Sequence, residues 1–359
     1  MVKILPNYLR RQFFQIFFFC LLSVIILFLV VDIVENLDRF IDRAVPWKIV
    51  LLYYLYYIPY IIVLTLPIAT LLATIFSVGN FARHNEMVAM KSLGYSLYRV
   101  MGTLLGIGLF LSVFSFLLAE GVVTHTNRKK ENIRRTYLDR VPGMISSVMR
   151  NLEIHVPPDK IVTIGYYDKK RRIARQVKIE TFQGHKLISR IDAPSMRWNG
   201  KVWVIKKGYQ RIFKGEKEKA LPLKQPYKYP FQFTPKELLV AQIKPDEMTF
   251  TELLHFISEV RNSGGEVHQW MTDLHLRIAF PLSNFIIILF SVPLAYNRRK
   301  KSLIVGFGIS LLVCFFYFGL VKMGQTMGEN GSVPPLLGAW LGNILMGAAG
   351  VFDLINTRK

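Results

Sequence analysis

Six charge-free apolar runs constrain this chain more than any other feature of its sequence: residues 13–31, 49–82, 100–119, 278–296, 303–321 and 336–352. A helix needs ~20 apolar residues to cross a bilayer, so each run reads as a membrane span. The second run exceeds that length and carries Pro59 and Pro67, which implies a helix that is kinked or projects beyond the bilayer. The first run follows Lys3, Arg10 and Arg11 as a signal peptide's would. It is too long for an h-region of about 7–15 residues and lacks a small-x-small cleavage site, so it reads as a retained span.

Six spans fix the sidedness of the short loops. Lys3, Arg10 and Arg11, then Arg83, Lys91 and Arg99, then Arg298 to Lys301, then Arg358 and Lys359 all fall on one side. The positive-inside rule makes that side the cytoplasm, with both termini in it. Residues 122–277 then lie outside. They hold 30 Lys or Arg against 16 Asp or Glu, most of the net charge of +22, and long domains escape the charge rule. This surplus favours anionic partners such as lipid headgroups, phosphorylated substrates or nucleic acid. Lys160 to Tyr167, Arg175 to Phe182 and Lys186 to Ile191 read as strands, and Asn199-Gly200 between apolar residues signals a hairpin. Short strands joined by turns suggest a sandwich or jelly roll. Thr249 to Asn262, followed by Gly264 and Gly265, reads as a capped helix returning to the membrane. The expected fold is an α-helical membrane protein of six transmembrane helices, three before and three after an inserted all-β, jellyroll-like domain.

Enzyme chemistry finds little footing. No Walker A pattern, H-E-x-x-H or G-x-S-x-G occurs, and no nucleophile with a base can be identified. His268, Asp273 and His275 have spacing too unspecific for a metal site. Cys20 and Cys314 lie inside apolar runs and imply neither a disulfide nor a metal. Gly106, Gly108, Gly306 and Gly308 permit close helix approach.

Two polar segments carry functional readings. Residues 82–94, with Asn85 as N-cap, Glu86 in the first turn and Gly94 as the C-terminal stop, form a short helix on the cytoplasmic face. It is either an interfacial connector or a coupling helix seated in a cytosolic motor. Arg128, Lys129, Lys130, Arg134 and Arg135 follow span three. They form either a solvated face against anionic headgroups or a phosphate contact.

Three segments together resemble the lipopolysaccharide export permeases, the LptF/LptG family, nearer its LptG branch. They are residues 82–99, residues 192–203, and Leu274-His-Leu-Arg-Ile-Ala-Phe-Pro-Leu-Ser283. The resemblance implies spans one to three with a coupling helix (1–121), a periplasmic β-jellyroll (122–272) and spans four to six (273–359) in the bacterial inner membrane. It implies a permease subunit of an ABC transporter that takes lipopolysaccharide from the inner membrane to a periplasmic bridge. The implied partners are a paralogous LptF-like permease, an LptB-like ATPase dimer that binds ATP and Mg, and an LptC-like protein, with no cofactor in this chain and no nucleic acid. Arg83, Glu86, Met87, Met90 and Gly94 become coupling residues. Arg39, Arg128, Lys129, Lys130, Arg134 and Arg135 become candidates for lipid phosphates. In enteric LptG proteins lysines stand at the outer end of span one, whereas Asp32 and Asp38 stand there in this chain, so a lysine contact is not carried over. The alternatives are an ABC permease for another envelope lipid or lipoprotein, and an ATPase-coupled signalling or scaffold protein.

Overall fold

The computed structural model describes residues 4–84, 86–92, 97–138, 148–156, 160–168, 171–183, 186–200, 202–214, 217–223, 227–229, 245–262, 266–297 and 303–356. The chain divides into two compact units, one of residues 1–138 with 268–359 and the other of residues 139–267.

The first unit is a helical bundle. Its helices are α1 (Ile4–Asp42), α2 (Trp47–Arg83), the short α3 (Glu86–Ser92) and α4 (Leu97–Leu118). A π-turn (Ala119–Val123) carries α4 into α5 (Thr124–Ile133), and a second π-turn (Arg134–Leu138) ends the run. The sequence places the end of this span at Ala119; the helix continues beyond it because Thr124–Leu138 finds packing along α2. In the second half of the chain, α7 (His268–Asn297), α8 (Leu303–Glu329) and α9 (Pro335–Asn356) complete the bundle. Among the described residues, six helical runs are long and apolar enough to cross a membrane.

Interior packing follows from which residues are small or can bond their own backbone. In α2, Thr65, Thr74 and Ser77 donate to the carbonyls of Ile61, Thr70 and Ala73 at 2.8, 2.7 and 2.6 Å, so these hydroxyls are buried without a penalty. Thr70 donates instead across helices to Asn284 Oδ1 at 3.0 Å, and Asn343 donates its Nδ2 to the Ala279 carbonyl at 2.6 Å while its Oδ1 accepts from the Tyr317 hydroxyl. Such bonds tie helices where apolar contact alone has no preference over lipid. The tightest crossing joins α8 to α9: a Cβ on Gly338 would stand 2.6 Å from the Gly324 carbonyl. Of the four glycines singled out in the sequence, only Gly108 meets a neighbouring backbone, 3.1 Å from Phe285 Cα; Gly106 and Gly308 face open space.

The second unit holds an antiparallel sheet of β1 (Val148–Val156), β2 (Lys160–Asp168), β3 (Ile173–Gln183), β4 (Lys186–Trp198), β5 (Trp203–Lys214), β6 (Lys217–Pro222) and β7 (Tyr227–Tyr229). Consecutive strands pair from β1 to β6, and β7 returns to β5. Period-two alternation puts one apolar face inward: Val162 opposes Ile179, which opposes Ile191, and Ile164 opposes Val177, which opposes Ala193. Trp203 is fully buried at the end of this row, edge-on to Trp198. The hairpin expected at Asn199-Gly200 joins β4 to β5. Gly200 takes φ +102°, and the Val202 N–H donates to Asn199 Oδ1 at 2.8 Å.

Helix α6 (Phe250–Asn262) follows the strands. Its start is a reciprocal capping box: the Thr249 N–H donates to Glu252 Oε2 at 2.8 Å, and the Glu252 N–H to Thr249 Oγ1 at 3.3 Å. Gly264 and Gly265, read as its stop, lie outside the described residues.

Candidate functional site

Helix α3 has only seven residues, too few to persist by backbone hydrogen bonding alone. Its stability comes from Met87 and Met90, each 5% exposed, which sit three residues apart and enter the bundle core beside Leu9, Phe81 and Val100. Methionine suits this role because its unbranched chain fills an irregular gap. The two methionines, expected among the coupling residues, are buried in the chain's own core and fix α3 to it.

Arg83 and His84 are exposed at the end of α2, where the His84 N–H donates to the Asn80 carbonyl at 3.0 Å. Glu86 is half-buried, and Tyr8 of α1 is electrostatically coupled to its carboxylate. Tyr8 in turn rests on Phe81, ring centroids 5.7 Å apart. The carboxylate thus stands beside Tyr8 in the first turn of α3. Asn85 and Gly94 lie outside the described residues.

The basic run is arranged differently. Lys129 Nζ lies 5.3 Å from the Tyr56 ring centroid, and Lys130 Nζ lies 4.3 Å from Tyr57 and 5.5 Å from Tyr60. Arg134 and Arg135 lie 3.8 and 3.9 Å from Glu131, which is 7% exposed. Arg128 is half-buried on the same helix. Arg39 stands exposed on α1, its guanidinium 3.5 Å from Asn36 Oδ1. The structure thus brings four of the predicted cations onto rings and a carboxylate of the chain itself.

Residues 7–356 match the family model described as lipopolysaccharide export system permease LptF/LptG. The chain belongs to the LptF/LptG family. A relative, the lipopolysaccharide export system permease protein LptG of Haemophilus influenzae, is 23% identical over 96% of each chain. The six apolar helices accord with a multi-pass inner-membrane permease of this family.

Within this LptF/LptG chain, sequence reading passed over two features near the candidate residues. The first is the ion pair of Arg277 NH1 with Glu120 Oε1, 3.0 Å apart, with side chains 15% and 19% exposed. Glu120 occupies the first π-turn, and Pro281 stands four residues after Arg277, where it cannot donate to the Arg277 carbonyl. Both helices therefore depart from regular bonding where the pair joins them. A lone acid and a lone base at the ends of two apolar runs were the available signal. The second is the tyrosine face under the basic run. Tyr53, Tyr57 and Tyr60 recur at helical spacing, but inside a long apolar run they read only as part of a span.

Proposed function

We propose that this chain is the permease subunit of an ABC transporter that extracts lipopolysaccharide from the inner membrane and hands it to a periplasmic acceptor, driven by a separate cytosolic ATPase. The observation that carries the reading is α3: a short helix bolted by Met87 and Met90 to the core, with Glu86 in its first turn, in a chain of the LptF/LptG family. A motor that grips Glu86 and Arg83 moves the bundle with it, because α3 is continuous with the core packing. Nothing in the chain then needs covalent chemistry, only two conformations with different affinity for the lipid.

Both termini and α3 face the cytoplasm in this reading, and the strand unit faces the periplasm as a jellyroll-like receiver. Its apolar face, from Val162 to Trp203, suits acyl chains. The long exposed apolar faces of α1, including Phe18, Phe19 and Leu22, and of α8, including Leu312, Phe315 and Phe316, suit a second, paralogous permease that encloses a lipid cavity. Arg39 and the basic run contact the lipid phosphates, and an LptC-like protein accepts the lipid outside. ATP and Mg belong to the ATPase.

Site-specific photocrosslinkers placed along α1 and on the apolar face of the sheet test this. Lipopolysaccharide is expected to crosslink to α1 without ATP and to the sheet only with ATP. Crosslinking at neither position, with the complex intact, rejects export of this lipid in favour of a permease for another envelope lipid.

A further inference from the structure

The tyrosine cluster between α1 and α2 surrounds a carboxylate that neither the coupling helix nor the basic run uses. Phe40, Tyr53 and Tyr54 are buried together, with Tyr57 packed on them. Tyr53 contacts Tyr54 edge-on at 5.2 Å between centroids and Tyr57 at 6.2 Å. Asp32 of α1 is electrostatically coupled to Tyr54 and Tyr57. Asp32 Oδ2 and the Tyr54 hydroxyl are both enclosed, and neither closes a hydrogen bond of normal geometry. Tyr54 is only 8% exposed.

An aromatic belt at the membrane surface does not account for this arrangement. Belt tyrosines keep the ring in lipid and the hydroxyl in water; here the hydroxyl is enclosed beside an enclosed carboxylate oxygen. Unsatisfied polar atoms in such a place are costly, and a cation complements both a carboxylate and the aromatic rings around it. The same rings display that preference: Lys130 already places its ammonium over Tyr57 and Tyr60. Asp32 itself has no ion-pair partner among the described residues.

We propose that Asp32, Tyr54 and Tyr57 form a binding site for the primary ammonium of a lipid headgroup, at the level where α1 leaves its charge-free stretch. The ammonium donates to Asp32 and to the Tyr54 oxygen and rests against the ring of Tyr57. A quaternary amine has no N–H and cannot satisfy either oxygen, so the site distinguishes ethanolamine from choline headgroups. Lys130, 4.3 Å from the Tyr57 ring centroid, supplies the cation for the adjoining phosphate. That phosphate half rests on the reading of the basic run as a phosphate contact; the ammonium half stands without it.

Two sources carry such an amine, a bilayer phospholipid and an exported lipid whose phosphates bear amine substituents. The test uses the full-length chain extracted with its accompanying subunits and placed in nanodiscs of phosphatidylethanolamine, phosphatidylcholine or phosphatidylglycerol. Native mass spectrometry then counts the lipids retained. Selective retention of phosphatidylethanolamine is expected, with a roughly tenfold loss in Asp32→Asn, as for removing a charged hydrogen-bond partner, and a smaller loss in Tyr54→Phe. Both substitutions are nearly isosteric, and unchanged melting of the complex separates lost binding from lost folding. A second arm adds lipid A with or without amine substituents to phosphatidylglycerol discs. Retention of the substituted form alone, abolished by Asp32→Asn, assigns the site to the exported lipid. Equal retention of choline and ethanolamine lipids, or wild-type retention by Asp32→Asn, overturns the proposal. Loss of phosphatidylglycerol binding in Lys130→Ala with the ammonium selectivity intact touches only the phosphate half.

Discussion

Helix α3 and the helical run Thr124–Leu138 are both polar excursions from the apolar bundle, yet they handle charge in opposite ways. In α3 the apolar residues do the anchoring, through Met87 and Met90, and the carboxylate of Glu86 stays at the surface. In the second run the charges themselves do the anchoring: Lys129 and Lys130 settle on tyrosine rings, and Arg134 and Arg135 gather on buried Glu131. A count of charges along the chain favours the second segment as the more available site. The packing favours the first.

The largest effect is expected where α3 meets the core. Met87→Ala combined with Met90→Ala removes two buried side chains at about 2–5 kcal/mol each, more than seven residues recover by themselves. Hydrogen exchange across Glu86–Ser92 should accelerate strongly, and ATPase-driven export should fall although Glu86 is untouched. Fast exchange with full export would mean that α3 does not transmit force through its anchor. The next effect concerns the root of the second run. Glu120→Gln takes from half-buried Arg277 the carboxylate that stands 3.0 Å away, at about 1–3 kcal/mol, and thermal unfolding of the solubilised protein should report it. The exchanged pair Glu120→Arg with Arg277→Glu should recover part of the loss, which no purely local packing defect would do.

The same contrast explains what could be read from the sequence. Six spans, the strand unit, the Asn199-Gly200 hairpin and the Thr249 cap were all legible, because each rests on a local pattern: a charge-free run, alternation, or a side chain bonding a backbone one turn away. The position of Glu86 in the first turn of a short helix was legible for the same reason. The inward turn of Met87 and Met90 was not, since two methionines three apart look alike whichever side they face. The partners of the basic run were hidden by distance. Lys130 meets residues about 70 positions earlier, and Arg277 meets one 157 positions away. The continuation of α4 past Ala119 was missed because its support is tertiary: Thr124, Asn127 and Glu131 are buried on a segment whose composition reads as solvated.

Glu131 gives a smaller effect that sharpens the comparison. Its two arginine partners are about a third exposed, so water already screens the pairs and they are worth about 1 kcal/mol or less. Glu131→Gln should therefore melt close to the wild type. It removes a carboxylate partner of Arg134 and Arg135, and an arriving phosphate no longer has to compete with it. Retention of a phosphate-bearing lipid by the solubilised complex should rise several-fold, the change expected for about 1 kcal/mol. Retention should fall if Glu131 instead holds the arginines in the geometry that the phosphate needs. The two outcomes have opposite sign, so one titration decides whether the buried acid is a competitor or a template. The smallest expected effect is Lys130→Met, which keeps the apolar stem over Tyr57 and removes only the ammonium, at about 0.5–2 kcal/mol. If the run is chiefly a strut, stability drops by that amount and lipid retention is unchanged. If it is a phosphate site held in reserve by the rings, retention drops as well, and the drop should shrink as salt is raised because the lost interaction is between charges.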